Sequence, residues 1–184
     1  ELAPVQAFSP RELSLVRAML EQGVNSPRTS SAGRLFDGVA ALVGLRQRLG
    51  YEGQAAMELE FAATGSSCEE SYPFYFNDTS PLVVDWSPTL RAMLDDLRRR
   101  EVIGSIAAKF HNTLVAMMLA VAHQAGQPRV VLTGGCFQNH YLSERAIQRL
   151  SAEGFKPYWH QRIPPNDGGI ALGQALAAAR LMKE

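Results

Sequence analysis

Residues 129–139 read RVVLTGGCFQN, and their character changes halfway along. The apolar run over residues 129–133 is typical of a strand that is buried on both faces. Gly134 and Gly135 follow the run directly, and a helix is predicted from about Asn139 to Ala152. The stretch therefore predicts a strand, a tight glycine turn and a helix, which is the local unit of an α/β fold.

A second stretch repeats this order further along the chain. Residues 156–159 (KPYW) are the next predicted strand, and residues 164–169 (PPNDGG) form a turn. A final helix is predicted from Ile170 to Met182. The turn again joins a strand to a helix.

Residues 1–128 are predicted to be mainly helical. A capping box over Ser9–Glu12, with proline at the first helical position, starts a short helix that Gly23 stops. An almost wholly apolar helix over Ser31–Leu45 carries one acid, Asp37. Other predicted elements are helices over Glu52–Ala63, Ser87–Arg100 and Ile103–His123, a β-prone run at Leu82–Val84, and a polar connection over 65–81. Because no repeat or interdomain linker is evident, residues 1–184 are expected to form a single domain.

The composition limits the classes of function. The 184 residues are 46% hydrophobic and 20% charged, which is ordinary for a globular protein. Eighteen basic residues balance eighteen acidic ones, so no net charge attracts a nucleic acid or an anionic membrane. The apolar runs fall short of the roughly 20 residues that span a bilayer, and two cysteines, Cys68 and Cys136, are too few for a disulfide scaffold. We therefore expect a soluble, cytoplasmic protein with no nucleic acid and no membrane as partner.

The glycine turn at residues 133–135 can bind an anion, because glycine allows close backbone approach and amides at a helix start point outward. Any tight strand-to-helix turn has the same pattern, however. Asn139 could bond a ribose or phosphate oxygen, or it could cap its own helix. Cys136 lies at a helix start, but the sequence places no general base beside it, so a structural thiol is expected.

Two aspartates, Asp167 and Asp37, lie at positions where a carboxylate suggests a specific role. Asp167 could hold a divalent cation or orient a nucleophile, or it could simply cap the final helix. Asp37 lies within an apolar helix, so it either faces a polar cleft or pairs with Arg34. The histidines show no i, i+4 pair, which argues against a self-contained histidine metal site and favours structural roles for His111, His123, His140 and His160.

Four ordered blocks of the chain resemble the C-terminal region of the HypF carbamoyltransferase family, which acts in the maturation of nickel–iron hydrogenases. The blocks are residues 30–42 (SSAGRLFDGVAAL), 51–60 (YEGQAAMELE), 133–139 (TGGCFQN) and 164–174 (PPNDGGIALGQ). The resemblance implies an α/β fold, the helix-rich second lobe of an actin/Hsp70/sugar-kinase type ATPase (ribonuclease H-like) domain. The chain is accordingly expected to be the C-terminal half of a HypF-like carbamoyltransferase domain.

The same resemblance implies the chemistry of the whole enzyme. Family members take carbamoyl phosphate and ATP, form carbamoyl adenylate in a YrdC-like domain, and pass the carbamoyl group to the C-terminal cysteine of HypE. The nucleotide lies in the cleft between two lobes of such a domain. The missing partners are the first, N-terminal lobe and the YrdC-like domain, so we expect this chain alone to be inactive.

The resemblance also assigns residues to the site, without identifying a catalytic one. Nucleotide contacts are implied at the phosphates for Gly134 and Gly135 with Asn139 close by, and at the ribose and adenine for Asp37, Gly53 and Glu58. Asp167 matches the family's metal-ligand aspartate. The divalent metal ion would be shared with the missing first lobe, because the family's His-x-x-x-His pair does not occur in this sequence.

Two other functions stay open. One is the lobe of a small-molecule O-carbamoyltransferase from the same superfamily, although the block at residues 51–60 favours the HypF family. The other is a non-catalytic module that docks HypE or a first lobe without turnover, which the absent metal histidines favour.

Overall fold

The computed structural model describes residues 2–182 of the chain. Contacts between Cα atoms divide the chain into two compact units, of which the first ends at Phe61 and the second begins at Ala62. The boundary falls inside a helix, α4 (Gln54–Ala63). The expectation that residues 1–184 form one lobe stays a prediction.

The first unit is helical. It contains α1 (Ala3–Gln6), α2 (Pro10–Gln22), α3 (Ala32–Leu42) and most of α4. The predicted capping box starts α2: the Ser9 hydroxyl accepts from the Glu12 amide at 3.3 Å, and the Ser9 amide donates to the Glu12 carboxylate at 2.8 Å. The helix ends at Gly23, which has a φ of 67°. The α3 helix buries Phe36, Val39 and Ala40 on one face.

The second unit is organised around one long helix. Its helices are α5 (Ser87–Arg98), α6 (Ile103–Ala125), α7 (His140–Ala152) and α8 (Ile170–Leu181). The α6 helix packs against α5 and α7. By length and composition α6 could cross a membrane, but 61% of its most hydrophobic window is buried inside the protein. Its apolar character therefore fits the core helix of a folded domain.

One helix start departs from its sequence prediction and another agrees with it. The α4 helix begins at Gln54 rather than Glu52, because Gly53 has a φ of 83°, outside the helical region. The α5 helix begins at Ser87, as predicted, and Trp86 is its N-cap. The Ser87 amide donates to the Asp85 carboxylate at 2.8 Å.

The strands form two small sheets. In the first, β1 (Tyr75–Asn77) pairs antiparallel with β2 (Val83–Asp85). In the second, β3 (Arg129–Leu132) pairs parallel with β4 (Lys156–Trp159), and Val131 lies opposite Tyr158. The sequence predicted β2, β3 and β4, whereas β1 lies in the stretch predicted to be a polar connection.

The prediction that β3 is buried on both faces is wrong. Leu132 is buried, but Val131 is 67% exposed and its neighbour on the sheet, Tyr158, is 51% exposed. Side chains alternate between the faces of a strand, so one face of this pair meets the core and the other lies open among the described residues. Ile170, Leu172 and Leu176 of α8 are also more than half exposed.

An extended segment before β1 is bound to the long helix by side chains. The Asn112 amide nitrogen donates to the carbonyls of Cys68 and Glu70, each at 2.9 Å. The Tyr72 amide donates to the Thr113 hydroxyl at 2.8 Å, and the Tyr72 hydroxyl donates to the Asp96 carboxylate at 2.9 Å. These side chains satisfy backbone groups that a strand partner would otherwise satisfy.

His111 is a fully buried polar side chain in the middle of α6. Its Nδ1 lies 2.7 Å from the Ala107 carbonyl oxygen and its Nε2 lies 2.9 Å from the Asn139 amide nitrogen. A carbonyl can only accept, so the proton is on Nδ1, and Nε2 accepts from Asn139. Burial lowers the pKa of His111 to about 4, so the ring is neutral at physiological pH.

We expect His111 alone to make the free energy of unfolding fall by about 2 kcal/mol between pH 7 and pH 5. In the unfolded chain the imidazole takes up a proton near its usual pKa of 6.5, whereas in the folded protein it resists protonation until the pH nears 4. The stabilisation is therefore present above pH 6.5 and is lost as the pH falls toward 4.

Urea unfolding across this pH range measures the effect. The control is His111→Gln, which cannot titrate, so its stability should fall less steeply. Equal slopes for the two proteins would contradict the buried, neutral state of His111.

Candidate functional site

The carboxyl ends of β3 and β4 lie at the same edge of their sheet, because the strands are parallel. Hydrogen bonds join the turns that follow them. The Gly134 amide donates to the Pro165 carbonyl at 2.8 Å, and the Asn166 side-chain amide donates to the Gln138 side-chain oxygen at 3.1 Å. The two predicted turns therefore form one surface, which we call the paired turns (residues 133–139 and 164–169).

The first glycine pair is open to approach from outside. Gly134 has a φ of 106°, and a Cβ added there would meet nothing within 4 Å. At Gly135 the nearest atom to an added Cβ would be the Gln138 side-chain nitrogen, at 3.8 Å. Gly134 is therefore required by its backbone conformation, whereas at Gly135 a side chain would fit and only occupy the open space.

The amides of the same turn are available to an acceptor. Residues Gly135–Gln138 form a single 3₁₀ turn that leads into α7. Among the described residues, the amides of Gly135 and Cys136 donate to no backbone carbonyl outside that turn, as is usual for the first amides of a helix. Free amides at an open glycine turn are a suitable cradle for an anion.

The second glycine pair, Gly168 and Gly169, is required for a different reason. An added Cβ at Gly168 would lie 3.1 Å from the Pro164 ring, and one at Gly169 would lie 3.0 Å from the Pro164 carbonyl oxygen. These glycines allow the loop to pack closely on itself. The two glycine pairs look alike in the sequence but only the first leaves space for a ligand.

Asp167 is exposed at the start of the 3₁₀ turn Asp167–Gly169. The interpretation that it caps the final helix is wrong, since the N-cap of α8 is Gly169, which has no side chain. Asn166 caps the 3₁₀ turn itself, where its side-chain oxygen accepts from the Gly168 amide at 3.1 Å. The described residues hold no group of three or more histidine, cysteine or acidic side chains that could bind a metal ion. Asp167 thus offers one carboxylate rather than a metal site, and its role as a metal ligand stays a prediction.

The capping role predicted for Asn139 is confirmed. Its side-chain oxygen accepts from the Leu142 amide at 2.8 Å, while its side-chain nitrogen donates to His111. His111 comes from α6, 28 residues earlier in the chain, so no local pattern pointed to this contact. The predicted contact of Asn139 with a nucleotide stays a prediction.

Asp37, in the first unit, pairs with Arg34, which is one of the two alternatives that the sequence suggested. Its carboxylate lies 3.1 Å from the Arg34 guanidinium, and its side chain is 19% exposed. The buried oxygen Oδ2 accepts no well-directed hydrogen bond among the described residues. This oxygen is also the one that lies nearest Arg34, and the protein covers it. The pairing interpretation is confirmed, and the predicted ribose or adenine contact of Asp37 stays a prediction.

Glu58 makes contacts that sequence reasoning missed. Arg46 binds its carboxylate in a bidentate manner, with Nε at 2.9 and 3.1 Å from the two oxygens. The Gln54 side chain adds a hydrogen bond at 3.2 Å. Arg46 keeps the pKa of Glu58 below its usual range, so this carboxylate is ionised. Gly53 forms the left-handed turn into α4, and the nucleotide contacts of Gly53 and Glu58 stay predictions.

Cys136 is half-buried, and burial raises the pKa of its thiol. A protonated thiol is a poor nucleophile, which agrees with the structural role expected from the sequence.

A separate polar cavity of about 300 Å³, lined by Glu69, Tyr141 and Arg145 among others, contains none of the predicted site residues.

Comparison with known proteins identifies the family. The model of the family described as carbamoyltransferase, Kae1-like domain, second subdomain, matches residues 2–174. A carbamoyltransferase HypF from Synechocystis sp. is 44% identical over 163 residues, which are 88% of this chain and 21% of that protein.

Solved structures agree. A crystal structure of full-length HypF in the phosphate- and nucleotide-bound form superposes with a TM-score of 0.88 at 39% identity, covering 98% of this chain and 24% of that one. The structure of T. kodakarensis HypF, at 22% identity and a TM-score of 0.80, shares the fold.

This chain spans about a fifth to a quarter of the length of these relatives. The predicted fold class, a helix-rich α/β lobe of the Kae1-like ATPase type, is confirmed. The chain belongs to the HypF carbamoyltransferase family and is the second subdomain of its Kae1-like domain.

Proposed function

We propose that the chain is the nucleotide-binding lobe of an enzyme that uses carbamoyl phosphate and ATP, through carbamoyl adenylate, to carbamoylate the C-terminal cysteine of a HypE-like acceptor. The observation that carries this proposal is the open glycine turn at the end of β3, with its two free amides. The nucleotide-bound state of a relative that is 39% identical over 98% of this chain supports the same assignment.

The glycine turn supplies the phosphate contacts in this proposal. The amides of Gly135 and Cys136 would donate to phosphate oxygens, and the positive end of the α7 dipole would add to the attraction. The missing Cβ at Gly134 and Gly135 leaves a phosphate room to reach those amides. Asp37, Gly53 and Glu58 of the first unit are proposed, from the family resemblance, to serve the ribose and adenine.

Transfer would proceed by attack of the acceptor's thiolate on the carbamoyl carbon. A carbon–sulfur bond forms, the bond from the carbamoyl carbon to the phosphate oxygen breaks, and AMP leaves. Amides aimed at the phosphate stabilise the charge that AMP carries as it departs. Cys136 is not proposed as a nucleophile for the step, because burial raises the pKa of its thiol.

Asp167 is proposed as this chain's ligand for a divalent metal ion shared with a first lobe. Its carboxylate is exposed beside the glycine turn, which the hydrogen bond from Gly134 to Pro165 keeps in place. When bound, such an ion would neutralise negative charge on phosphate or carbamoyl oxygens. The remaining ligands would have to come from outside this chain.

The variant Gly135→Asp tests the phosphate contacts of the glycine turn. We expect Mg·ATP binding to weaken at least tenfold, because the new carboxylate would occupy the open space and repel the phosphates. The fold should persist, since the nearest atom to the new Cβ lies at 3.8 Å and φ is unexceptional. Isothermal titration calorimetry with Mg·ATP measures the affinity.

The matched control for this variant is Ser151→Asp. It adds the same charge at the opposite end of α7 and should bind Mg·ATP like the wild type. Equal binding by wild type and Gly135→Asp would contradict the assignment of the turn to phosphate.

The variant Asp167→Ala tests the proposed metal ligand in a complete HypF-type enzyme that carries this chain as its second subdomain. Loss of the carboxylate should lower bound metal and reduce carbamoylation of a HypE C-terminal peptide by at least a hundredfold. Metal analysis and mass spectrometry of the peptide report the two quantities.

The same assay separates the alternative functions. Carbamoylation of a small-molecule hydroxyl but not of the peptide would favour the O-carbamoyltransferase alternative. Peptide binding without turnover, insensitive to Asp167→Ala, would favour a docking module.

A further inference from the structure

The paired turns depend on a buried hydrogen-bonded chain that no local sequence pattern shows. It runs from the Ala107 carbonyl through the His111 imidazole and the Asn139 amide to the amide of Leu142, with successive distances of 2.7, 2.9 and 2.8 Å. His111 is fully buried and Asn139 is 6% exposed. Water therefore cannot replace either partner at low cost.

The first two hydrogen-bonded groups of this series hold the imidazole in one orientation. Its Nδ1 donates to a carbonyl on its own helix, and its ring stands edge to face with Tyr141 at a centroid distance of 5.1 Å. Nε2 is then left as an acceptor aimed at Asn139. The ring has one tautomer and one orientation that satisfy both nitrogens.

The remaining hydrogen bonds of this series hold the side-chain amide of Asn139 in one orientation. A side-chain amide can face either way, and only one orientation presents nitrogen to His111 and oxygen to the Leu142 amide. His111 therefore selects the orientation in which Asn139 caps α7. Replacing that acceptor would leave a buried donor unsatisfied or rotate the cap away.

The cap in turn holds the glycine turn. Asn139 closes the 3₁₀ turn, with its own amide donating to the Cys136 carbonyl at 3.2 Å. The Ser143 hydroxyl, from the first turn of α7, donates to the Phe137 carbonyl at 2.8 Å. The direction of the free amides at Gly135 and Cys136 thus depends on where α7 begins.

We infer that His111 is a positioning residue for the phosphate-binding turn: from α6 it fixes the Asn139 cap and, through it, the direction of the turn's free amides. This inference rests on the proposed function of the glycine turn. His111 contacts no nucleotide itself, so its contribution is to affinity through Asn139.

Calorimetry with Mg·ATP tests the inference in this chain. His111→Leu removes the acceptor, and Asn139→Ser keeps a good N-cap while removing the donor. Each should weaken Mg·ATP binding by about tenfold, the effect of one lost hydrogen bond. The double variant should also lose about tenfold rather than a hundredfold, because both changes break the same link.

The matched control is His123→Leu on the same helix. His123 lies about 18 Å further along α6 and pairs with Glu153, so its loss should leave nucleotide binding unchanged. Circular dichroism reports whether each variant is folded. If His111→Leu does not fold, His111→Gln and Asn139→Ser carry the test, and His111→Gln should bind better than Asn139→Ser because its side-chain oxygen can still accept.

Imidazole ¹⁵N spectra give a readout that a purely structural role would not move. The wild type should show His111 protonated on Nδ1, and saturation with Mg·ATP should shift its Nε2 resonance. A folded His111→Leu with wild-type affinity, or additive losses in the double variant, would overturn the inference. If the wild type itself bound no Mg·ATP, the proposed function would fail and this inference with it.

Discussion

A backbone hydrogen bond from the Gly134 amide to the Pro165 carbonyl helps to join the two turns on which the proposed site depends. The parallel pairing of β3 and β4 brings the turns to one edge, and this bond sets their spacing. It also fixes which amides of the first turn remain free. With Gly134 engaged, Gly135 and Cys136 are the donors left for a ligand, and Asp167 stands exposed on the facing turn.

Two glycine pairs that look alike in the sequence differ in what requires them. Gly134 and Gly135 border open space, whereas a Cβ added to Gly168 or Gly169 would lie about 3 Å from Pro164. The same residue type therefore leaves an open turn at one position and allows a tightly packed loop at the other. The packed loop holds the Pro165 carbonyl in place, and the Gly134 amide of the open turn donates to that carbonyl.

Local features of the sequence were sufficient wherever the interaction is local. The Ser9–Glu12 capping box, the Arg34–Asp37 pair and the Asn139 cap all lie within one helical turn and were predicted. The Arg46–Glu58 pair and the His111–Asn139 contact join residues 12 and 28 positions apart, and no periodicity encodes them.

The exposure of Val131 was missed because a continuous apolar run cannot show whether one face of a strand lacks a cover. The family and its fold followed from four ordered blocks, whereas the ligand roles of individual residues did not follow from geometry within this chain.

The most direct test of the account is an amide ¹H–¹⁵N spectrum of this chain titrated with Mg·ATP to millimolar concentration, which detects binding even when the affinity of an isolated lobe is low. We predict the largest saturable shifts at Gly135 and Cys136, with smaller ones at the neighbouring turn that carries Asp167. Shifts confined to other regions, or no shift at the glycine turn at any concentration, would contradict it.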